Sequence, residues 1–398
     1  MRIVTSEYTA TGFWDGVWDE TGVRKWAEDL RTCLRGVKPT LGLVFLSPAF
    51  QPHASTLLEL LRVHAQVPLL LGCSASSLIQ GGEENEGREG IVLGLYHLPG
   101  AELKATHISP FQIEESESVE YWHRETGVEP AKCHGWLAFA DPFRTDCETW
   151  LKWWNKAYSP QPILGGLASG QGAQEETQLY LNGEVFNEGV VAVSVGGSVA
   201  IRGVVSQGCT PIGQTWTVTK AQGNVIQEIG NRPAYQVLAQ TFKELPVEIQ
   251  KRAQGNLFIG LVVNEYQEDF RRGDFLVRNL MAGDPVSGVL AVGARPRPGQ
   301  SLQFQCRDAA AATQDMTELL LREQGELKGH AVYGACLCTC AGRGKNLFGS
   351  SDHDASLVQQ HFGPFGLTGF FCNGEIGPVG GKSYLHGYTA CLTLFVHA

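Results

Sequence analysis

Arg343 stands between two glycines, Gly342 and Gly344, shortly after an apolar segment that ends at Cys340. Glycine neighbours let a ligand approach the backbone closely. A guanidinium presents a planar pair of donors that matches a carboxylate. The pattern is therefore typical of a loop that binds a small acid. The alternative is a loop arginine held in a structural ion pair.

A second polar turn, Asn373-Gly374-Glu375, follows another apolar segment. Its amide and carboxylate can hold an ammonium group or several hydroxyls. The alternative is a turn in which Asn373 and Gly374 only supply the backbone conformation. Glu375 would then pair with Arg343 or with another arginine.

Cys336, Cys338 and Cys340 alternate, so a strand would place them on one face, with Cys372 on a nearby loop. Successive sulfurs in such a strand lie roughly 6 Å or more apart, whereas metal sites usually use Cys-x-x-Cys pairs. We therefore interpret these cysteines as small core residues and predict no metal. Cys340 is the exception, because a neighbouring cation such as Arg343 makes a thiol more reactive.

Cys73-Ser74, at the end of a third apolar segment, offers two possible nucleophiles. A serine or cysteine nucleophile needs a base and an orienting acid, and none of the 11 histidines stands in a recognisable catalytic motif. The glycine-rich loops match neither a phosphate-binding loop nor a dinucleotide fingerprint. We therefore expect no cofactor and no enzymatic activity.

Two dipeptides, Ser47-Pro48 and Asp141-Pro142, occupy the same place at the end of an apolar segment. Serine or aspartate followed by proline is typical of a helix start, so we interpret both as helix caps. The alternative is a helix N-terminus that opens into a cleft and favours an anion.

The composition limits the classes of partner. The 398-residue chain is 43% hydrophobic, with a formal charge of −10 and no run of lysine and arginine. We therefore expect neither nucleic acid nor an anionic membrane surface as a partner.

No apolar run reaches the roughly 18 residues of a membrane span, and the first residues lack a signal-peptide pattern. With 11 scattered cysteines that we interpret as reduced thiols, we expect a cytoplasmic protein.

One pattern recurs along the chain and must position these groups. It consists of a Gly-led strand, a helix-length segment, a second strand with a polar loop, and a third Gly-led strand. Copies start at Gly42, Gly135 and Gly334, and we interpret residues 257–295 as a degenerate copy. A strand–helix–strand step implies a parallel pair with a right-handed crossover. The sequence thus predicts an α/β fold with mixed β-sheets, flanking helices and two related domains, at 1–205 and 206–398.

Equivalent positions in repeated units also predict where the polar loops meet. Ligand sites in open α/β sheets favour the carboxyl ends of the strands. We therefore expect the loops at these ends to cluster in space, namely 72–77, 165–170, 340–344 and 373–377. The polar segment 82–90 is interpreted as a further loop.

The chain resembles the FIST family, named for F-box and intracellular signal transduction, from about residue 35 to the end. The first half is similar to the FIST N-terminal domain through Gly72-Cys73-Ser74 and the segment 165–170. The second half is similar to the FIST C-terminal domain through the segments 340–344 and 369–378, with 272–278 in support.

The resemblance implies a sensory module that binds a small ligand, with amino acids as the usual suggestion. The chain carries neither an F-box nor a signalling domain, so the output would pass through a separate partner protein. On the matching motifs the resemblance implies these ligand-binding residues: Cys73, Ser74, Ser169, Gly170, Arg278, Cys340, Gly342, Arg343, Gly344, Asn373, Gly374 and Glu375.

Two other functions remain open at this point. One is a cysteine-dependent enzyme that uses Cys340 or Cys73 on a small amino or acyl substrate. The other is a protein-interaction scaffold.

If Arg343 contacts a ligand, its replacement by alanine weakens ligand binding with little loss of stability, because a Gly-flanked loop has few core contacts.

Overall fold

The computed structural model describes residues 2–170, 176–266, 269–270 and 272–398. Helices alternate with strands along much of the chain. In chain order the helices are α1 (Glu20–Thr32), α2 (Ala54–His64), α3 (Pro110–Glu114), α4 (Val119–Thr126), α5 (Cys147–Tyr158), α6 (Ala234–Glu244), α7 (Val247–Ala253), α8 (Ala309–Glu326), α9 (Lys345–Phe348) and α10 (His353–Phe362), with short 3-10 helices at Pro48–His53 and Pro130–Lys132.

The strands are numbered in chain order as well. They are β1 (Arg2–Thr5), β2 (Thr9–Trp14), β3 (Leu41–Leu46), β4 (Leu70–Ser74), β5 (Leu78–Gln80), β6 (Glu83–Asn85), β7 (Ile91–Tyr96), β8 (Ala101–Ile108), β9 (Gly135–Ala140), β10 (Ile163–Leu167), β11 (Leu179–Leu181), β12 (Glu184–Phe186), β13 (Val190–Gly197), β14 (Val199–Ser206), β15 (Cys209–Gln222), β16 (Val225–Ile229), β17 (Arg232–Pro233), β18 (Leu257–Val262), β19 (Phe275–Gly283), β20 (Leu290–Val292), β21 (Ser301–Arg307), β22 (Val332–Cys340), β23 (Leu367–Cys372), β24 (Glu375–Val379), β25 (Lys382–His386) and β26 (Ala390–His397).

The chain forms two compact units. The larger unit contains residues 1–205 and 317–398, and the smaller unit contains residues 206–316. The predicted division at 1–205 and 206–398 describes sequence domains and remains a prediction. In space the third repeat, which begins at Gly334, packs with the first two, because its strands share sheets with theirs.

Each of the three repeats in the larger unit contains a parallel strand pair joined by a helix. β3 pairs with β4, β9 with β10, and β22 with β23, all in parallel. The third strand of each repeat, β7, β13 or β26, lies antiparallel to the first. β3 and β9 are buried along their whole length, as expected for strands covered on both faces. The predicted α/β fold with mixed sheets and flanking helices is confirmed.

A hairpin from each repeat extends the sheet of another repeat. β5 and β6 of the first repeat add to β23 of the third. β11 and β12 of the second repeat add to β4 of the first, and β24 and β25 of the third add to β10 of the second. The exchange closes a ring of three repeats, and each second strand gains a partner for its otherwise unpaired edge.

The three repeats share one apolar core. Phe45, Phe139 and Phe370, which come from β3, β9 and β23, are fully buried in it. Their ring centroids lie 4.8 to 5.7 Å apart, a separation at which aromatic rings attract one another. The three repeats therefore pack around a common centre.

The smaller unit has a different topology. β18 lies antiparallel to both β19 and β21, and the long strand β15 pairs with both β21 and β16. The antiparallel sheet thus closes on itself around Ile259, Phe304 and their neighbours. The strands in the described part of 257–295 pair antiparallel, β18 with β19 and β19 with β20, and not in parallel as in the repeats. Their interpretation as a degenerate copy of the repeat is therefore wrong.

Candidate functional site

Three glycines mark the same position in the three repeats. A Cβ atom added at Gly72, Gly165 or Gly369 would lie 1.7, 1.8 or 1.9 Å from a carbonyl oxygen of the neighbouring first strand. Real Cβ atoms cannot approach an oxygen so closely, so only glycine fits there. Four residues after each glycine the chain carries a polar side chain, and these are Ser76, Ser169 and Asn373.

Serines from the first two repeats meet the third repeat at this level. The Ser169 hydroxyl donates to the carbonyl oxygen of Phe371 at 2.5 Å and accepts the backbone N–H of Ser76 at 2.9 Å. The Ser74 hydroxyl donates to the carbonyl oxygen of Ser169 at 2.9 Å. We call Ser74, Ser76, Ser169 and Asn373 the strand-end cluster.

The loops that follow the parallel strands come together around this cluster. The Asn373 side chain donates to the carbonyl oxygen of Ala168 at 3.1 Å. The backbone N–H of Ala341 donates to the carbonyl oxygen of Cys372 at 3.2 Å. Three of the polar loops expected to cluster, 72–77, 165–170 and 373–377, are therefore joined by hydrogen bonds at the carboxyl ends of their strands. The fourth, 340–344, bonds to Cys372, the residue directly before the loop 373–377.

A cavity of about 680 Å³ opens beside the strand-end cluster. Gln178, in the cavity wall, donates its backbone N–H to the Ser74 hydroxyl at 3.0 Å. Gly170 lies close to the same wall, since a Cβ added there would be 3.9 Å from the side-chain nitrogen of Gln51. The volume is typical of a site for a small molecule. Further wall residues are His107, Arg144, Glu176, Thr177, Phe186 and Glu188.

The cavity wall carries charges of both signs. Arg144 donates to a backbone carbonyl of the wall at 3.3 Å, and within the described part of the chain it forms no ion pair. Two acidic residues, Glu176 and Glu188, line the same wall. The His107 ring stacks on Phe186 with 3.8 Å between centroids. The cavity thus combines one cation, two anions and an aromatic surface.

Asp141 holds the loop that carries Arg144. Its carboxylate is fully buried and accepts the backbone N–H groups of Phe143 at 3.1 Å and of Arg144 at 2.5 Å. It also accepts the hydroxyl of Thr177 at 2.6 Å. The predicted helix cap at Asp141 is wrong, because α5 begins later and Asp146 caps it at 3.0 Å. Asp141 instead links two segments of the cavity wall.

Ser47, the equivalent residue of the first repeat, precedes a 3-10 helix that starts at Pro48, as predicted. Its hydroxyl makes no capping bond but accepts the backbone N–H of Gly90 at 2.7 Å. Ser47 therefore joins the end of the first strand to the start of the third.

Arg343 forms a buried ion pair rather than a ligand contact. Its side chain is fully buried and donates through Nε to Oδ2 of Asp354 at 2.6 Å and through Nη2 to Oδ1 at 2.8 Å. Burial by itself would raise the pKa of Asp354, but Arg343 and His353 together hold that pKa well below its usual range. The structural ion pair, the alternative to a ligand-facing role for Arg343, is what the fold contains.

A second buried carboxyl, that of Glu84, lies beside this ion pair. Its Oε1 accepts the backbone N–H of Ala355 at 3.0 Å, while Oε2 has no hydrogen-bond partner among the described residues. Burial, with the charge of Asp354, raises the pKa of Glu84 to about 7. The polar composition of residues 82–90 predicts a loop and gives no sign of a buried carboxyl, whereas Glu84 lies in β6 of a hairpin that packs against α10.

Glu84→Gln is expected to stabilise the protein at pH 8 and to have little effect at pH 4. The pKa of Glu84 rises from 4.5 to about 7 on folding, so the folded state keeps a proton that the unfolded chain releases between these values. The contribution of Glu84 to stability is therefore present below pH 4.5 and is lost as the pH rises through 7. The gain at pH 8 is on the order of 2–3 kcal/mol, measured by urea unfolding at both pH values.

Glu117→Gln provides the control. The Glu117 side chain is exposed, so this substitution removes a solvated carboxylate and not a buried one. A Glu84→Gln variant whose stability differs from that of the wild type by the same amount at pH 4 and at pH 8 would contradict this assignment.

The remaining predicted site residues lie in different surroundings. Cys73 is fully buried in the shared core, and burial raises the pKa of its thiol, so it is not a ready nucleophile. Glu375 is fully buried and accepts the backbone N–H of Thr389 at 3.0 Å and the thiol of Cys372 at 3.1 Å. Arg278 belongs to β19 of the smaller unit.

The predicted glycines shape the loops of the third repeat. Gly344 has φ +57°, and a Cβ there would lie 2.7 Å from the carboxylate of Glu86, which accepts the backbone N–H of Lys345 at 3.0 Å. A Cβ at Gly374 would lie 3.0 Å from Leu167 of the second repeat. Gly342 is partly exposed beside Cys340. At Gly344 and Gly374 the backbone of the third repeat therefore lies in close contact with side chains of the first and second repeats.

In the described part of the chain, no three His, Cys, Asp or Glu side chains are grouped as a metal ion would require. None of the helices in that part combines the length and the apolar character needed to cross a membrane.

Two family models match consecutive parts of the chain. The FIST N domain matches residues 40–232, and the FIST C domain matches residues 234–378. These matches confirm the family resemblance read from the strand-end motifs.

The curated relatives of this chain include proteins described as uncharacterized. Proteins of Mycobacterium tuberculosis and Mycobacterium bovis are 34% identical over 370 residues, which is 93% of this chain and 94% of theirs. An uncharacterized protein of Methanocaldococcus jannaschii is 31% identical over 117 residues, which is 29% of this chain and 20% of its own length.

The solved structures to which the chain is similar include cyanuric acid hydrolase. One such structure covers 98% of this chain and 99% of its own, with 10% identity and a TM-score of 0.33. Another, from A. caulinodans, covers 97% and 98%, with 9% identity and the same TM-score. The prediction that the protein is not an enzyme is wrong, because these neighbours are enzymes. At this TM-score the likeness assigns neither a reaction nor a substrate.

Proposed function

Because the chain belongs to the FIST family, whose domains are associated with signal transduction and small-ligand sensing, we propose that it binds a small amino-acid-like zwitterion. The proposed site is the cavity beside the strand-end cluster. The observation that carries the proposal is that one cationic residue, Arg144, and two acidic residues, Glu176 and Glu188, line the same cavity of about 680 Å³.

Each part of an amino acid finds a complementary group in this wall. The guanidinium of Arg144 matches a carboxylate, because its donors form a planar fork. Glu176 and Glu188 attract an ammonium group. The ring of Phe186 offers an apolar surface to a side chain, and a cavity with few polar groups on a rigid frame is typical of small-molecule sites.

The frame behind the site is pre-organised. Asp141 fixes the backbone of Arg144 and the hydroxyl of Thr177 through buried hydrogen bonds. The Ser74 hydroxyl anchors Gln178. A site held in this way loses little conformational freedom when a ligand binds, which favours affinity. Ser74, Ser169 and Gly170 of the predicted ligand-binding set therefore support the site from behind in this proposal.

Arg144→Gln is expected to weaken the binding of an amino acid at least tenfold, because a charge-assisted hydrogen bond contributes roughly 1.5–3 kcal/mol. A thermal-shift screen of the standard amino acids first identifies a member that raises the melting temperature, since a ligand that binds only the folded state stabilises it. Isothermal titration then gives its affinity for the wild type and the variant.

Arg24→Gln is the matched control, since Arg24 is an exposed arginine on α1. Equal affinities of the wild type and Arg144→Gln for the identified amino acid, or no stabilisation by any member of the panel, would contradict the proposal. Mass spectrometry of the same mixtures after incubation shows whether the bound compound is also converted to a product.

A cytoplasmic location and transmission of the signal through a separate partner protein belong to the same proposal. Both are tested by recovering the native protein from fractionated cells, with and without the amino acid that the thermal-shift screen identifies. A stable complex that forms only in one of these states would identify the partner.

A further inference from the structure

We propose that Cys340 and Cys372 form a redox-active pair that a hydroperoxide oxidises to an intramolecular disulfide. The two residues are direct partners in the parallel pairing of β22 with β23. Paired strands lie about 4.7–4.9 Å apart, which is within the Cα–Cα range of roughly 4.4–6.8 Å that a disulfide requires. The backbone register therefore already holds the two residues at a suitable separation.

The two side chains lie on the same face of their sheet. Side chains alternate along a strand, so Cys340 shares the face of Cys336 and Cys338, which lie in the apolar core of the larger unit. Cys372 belongs to that same core. Cys340 is the last residue of β22, so it lies at the rim of the core while Cys372 lies inside it.

The two thiols differ in their access to solvent. Cys340 is partly exposed, whereas Cys372 is fully buried. The backbone N–H of Gly342 donates to the Cys340 sulfur at 3.4 Å. All eleven cysteines lie in the described residues, and only Cys33 matches Cys340 in exposure. An oxidant from solvent therefore reaches Cys340 before Cys372.

Cys372 has a base in contact with its sulfur. Its thiol donates to Oε1 of Glu375 at 3.1 Å, and the backbone N–H of Thr389 holds the other carboxylate oxygen at 3.0 Å. Burial, with the charge of Glu375, raises the pKa of the Cys372 thiol. Cys372 therefore stays protonated, and unreactive, until a neighbouring sulfur becomes electrophilic.

The reaction balances in two steps. The Cys340 thiolate attacks the terminal oxygen of a hydroperoxide, the O–O bond breaks, and the leaving oxygen takes a proton from solvent to give an alcohol or water. The product is the sulfenic acid of Cys340. Glu375 then accepts the proton of Cys372, the thiolate attacks the Cys340 sulfur, and hydroxide leaves and takes that proton as water. Two thiols are oxidised by two electrons, and the peroxide is reduced.

Hydrogen peroxide and mass spectrometry test the pair in the full-length chain. In the wild type we expect the intact mass to fall by two hydrogens. A non-reducing digest should contain one peptide that joins Cys340 to Cys372, and dithiothreitol should release it. In Cys372→Ser we expect oxygen atoms to accumulate on Cys340 instead. If that variant does not fold, Cys372→Ala takes its place, with melting curves as the check.

Two further variants separate the steps. Glu375→Gln should slow disulfide formation at least tenfold while the sulfenic acid of Cys340, trapped with dimedone, still forms. Cys33→Ser should behave as the wild type. Absence of the joined peptide in oxidised wild type would overturn the proposal. Oxidation of Cys33 at the same rate as Cys340 would also overturn the proposal, because it would show that solvent exposure alone decides which thiol reacts.

Discussion

Replacement of Arg343 by alanine is expected to lower the free energy of unfolding by about 3–5 kcal/mol. The substitution leaves the carboxylate of Asp354 buried without the guanidinium that now binds both of its oxygens. An unpaired charge in a buried site costs far more than the loss of the pair's attraction, because water cannot solvate it. Urea unfolding at pH 7 measures the change.

A second arginine pair provides a sharp control. Arg62 also donates two hydrogen bonds to one carboxylate, that of Glu59, at 3.1 and 3.0 Å. Both of these side chains are exposed, at 41% and 55%, so Arg62→Ala should cost less than about 1 kcal/mol. Similar small losses in both variants would contradict the structural role of Arg343. Replacement of both Arg343 and Asp354 by leucine should restore much of the stability, because neither charge of the pair is then left buried without its partner.

Gly369→Ala is expected to destabilise the protein by about 3 kcal/mol, at the upper end of the cost of overpacking. The new Cβ would lie 1.9 Å from the carbonyl oxygen of Leu337 on the neighbouring strand, so β22 and β23 would have to separate. The same substitution at Gly72 should have a similar effect, because its Cβ would lie 1.7 Å from the carbonyl oxygen of Val44. Thermal and urea unfolding measure both variants.

Gly387→Ala is the matched control, since Gly387 belongs to the same repeat and a Cβ there would have no neighbour within 4 Å. We expect its stability to stay within about 0.5 kcal/mol of the wild type. If Gly369→Ala and Gly387→Ala change the stability by the same amount, the close contact between β22 and β23 is not a constraint on folding.

The repeats and their loops were predictable because the evidence for them is local. Buried parallel strands are continuous apolar runs, and the glycines before and within them recur at the same positions in each copy. The strand ends at Cys73-Ser74, at Ser169 and at Asn373 therefore identified the loops that converge in the larger unit. The same local signals also carried the family resemblance that the FIST N and FIST C matches confirm.

The charged residues were harder to place, because their roles depend on partners that are distant in sequence. Arg343 on a Gly-flanked loop has the local pattern of a ligand-binding residue, and nothing near it shows that Asp354 folds back onto it. Glu84 stands in a polar segment, yet it is buried because the hairpin of the first repeat packs against helix α10 of the third. The cavity residues Arg144 and Glu188 carried no motif at all.

The sequence alone determined the α/β class, the repeated strand–helix–strand units and the family, because each of these depends on patterns within a few tens of residues. Only the tertiary structure decided that each hairpin joins the sheet of another repeat, and hence which polar groups face a cavity and which are buried in pairs. The physical reason is that hydrogen bonding and burial depend on where two distant segments meet. The chemistry of a side chain at one position does not specify which distant segment that side chain will contact.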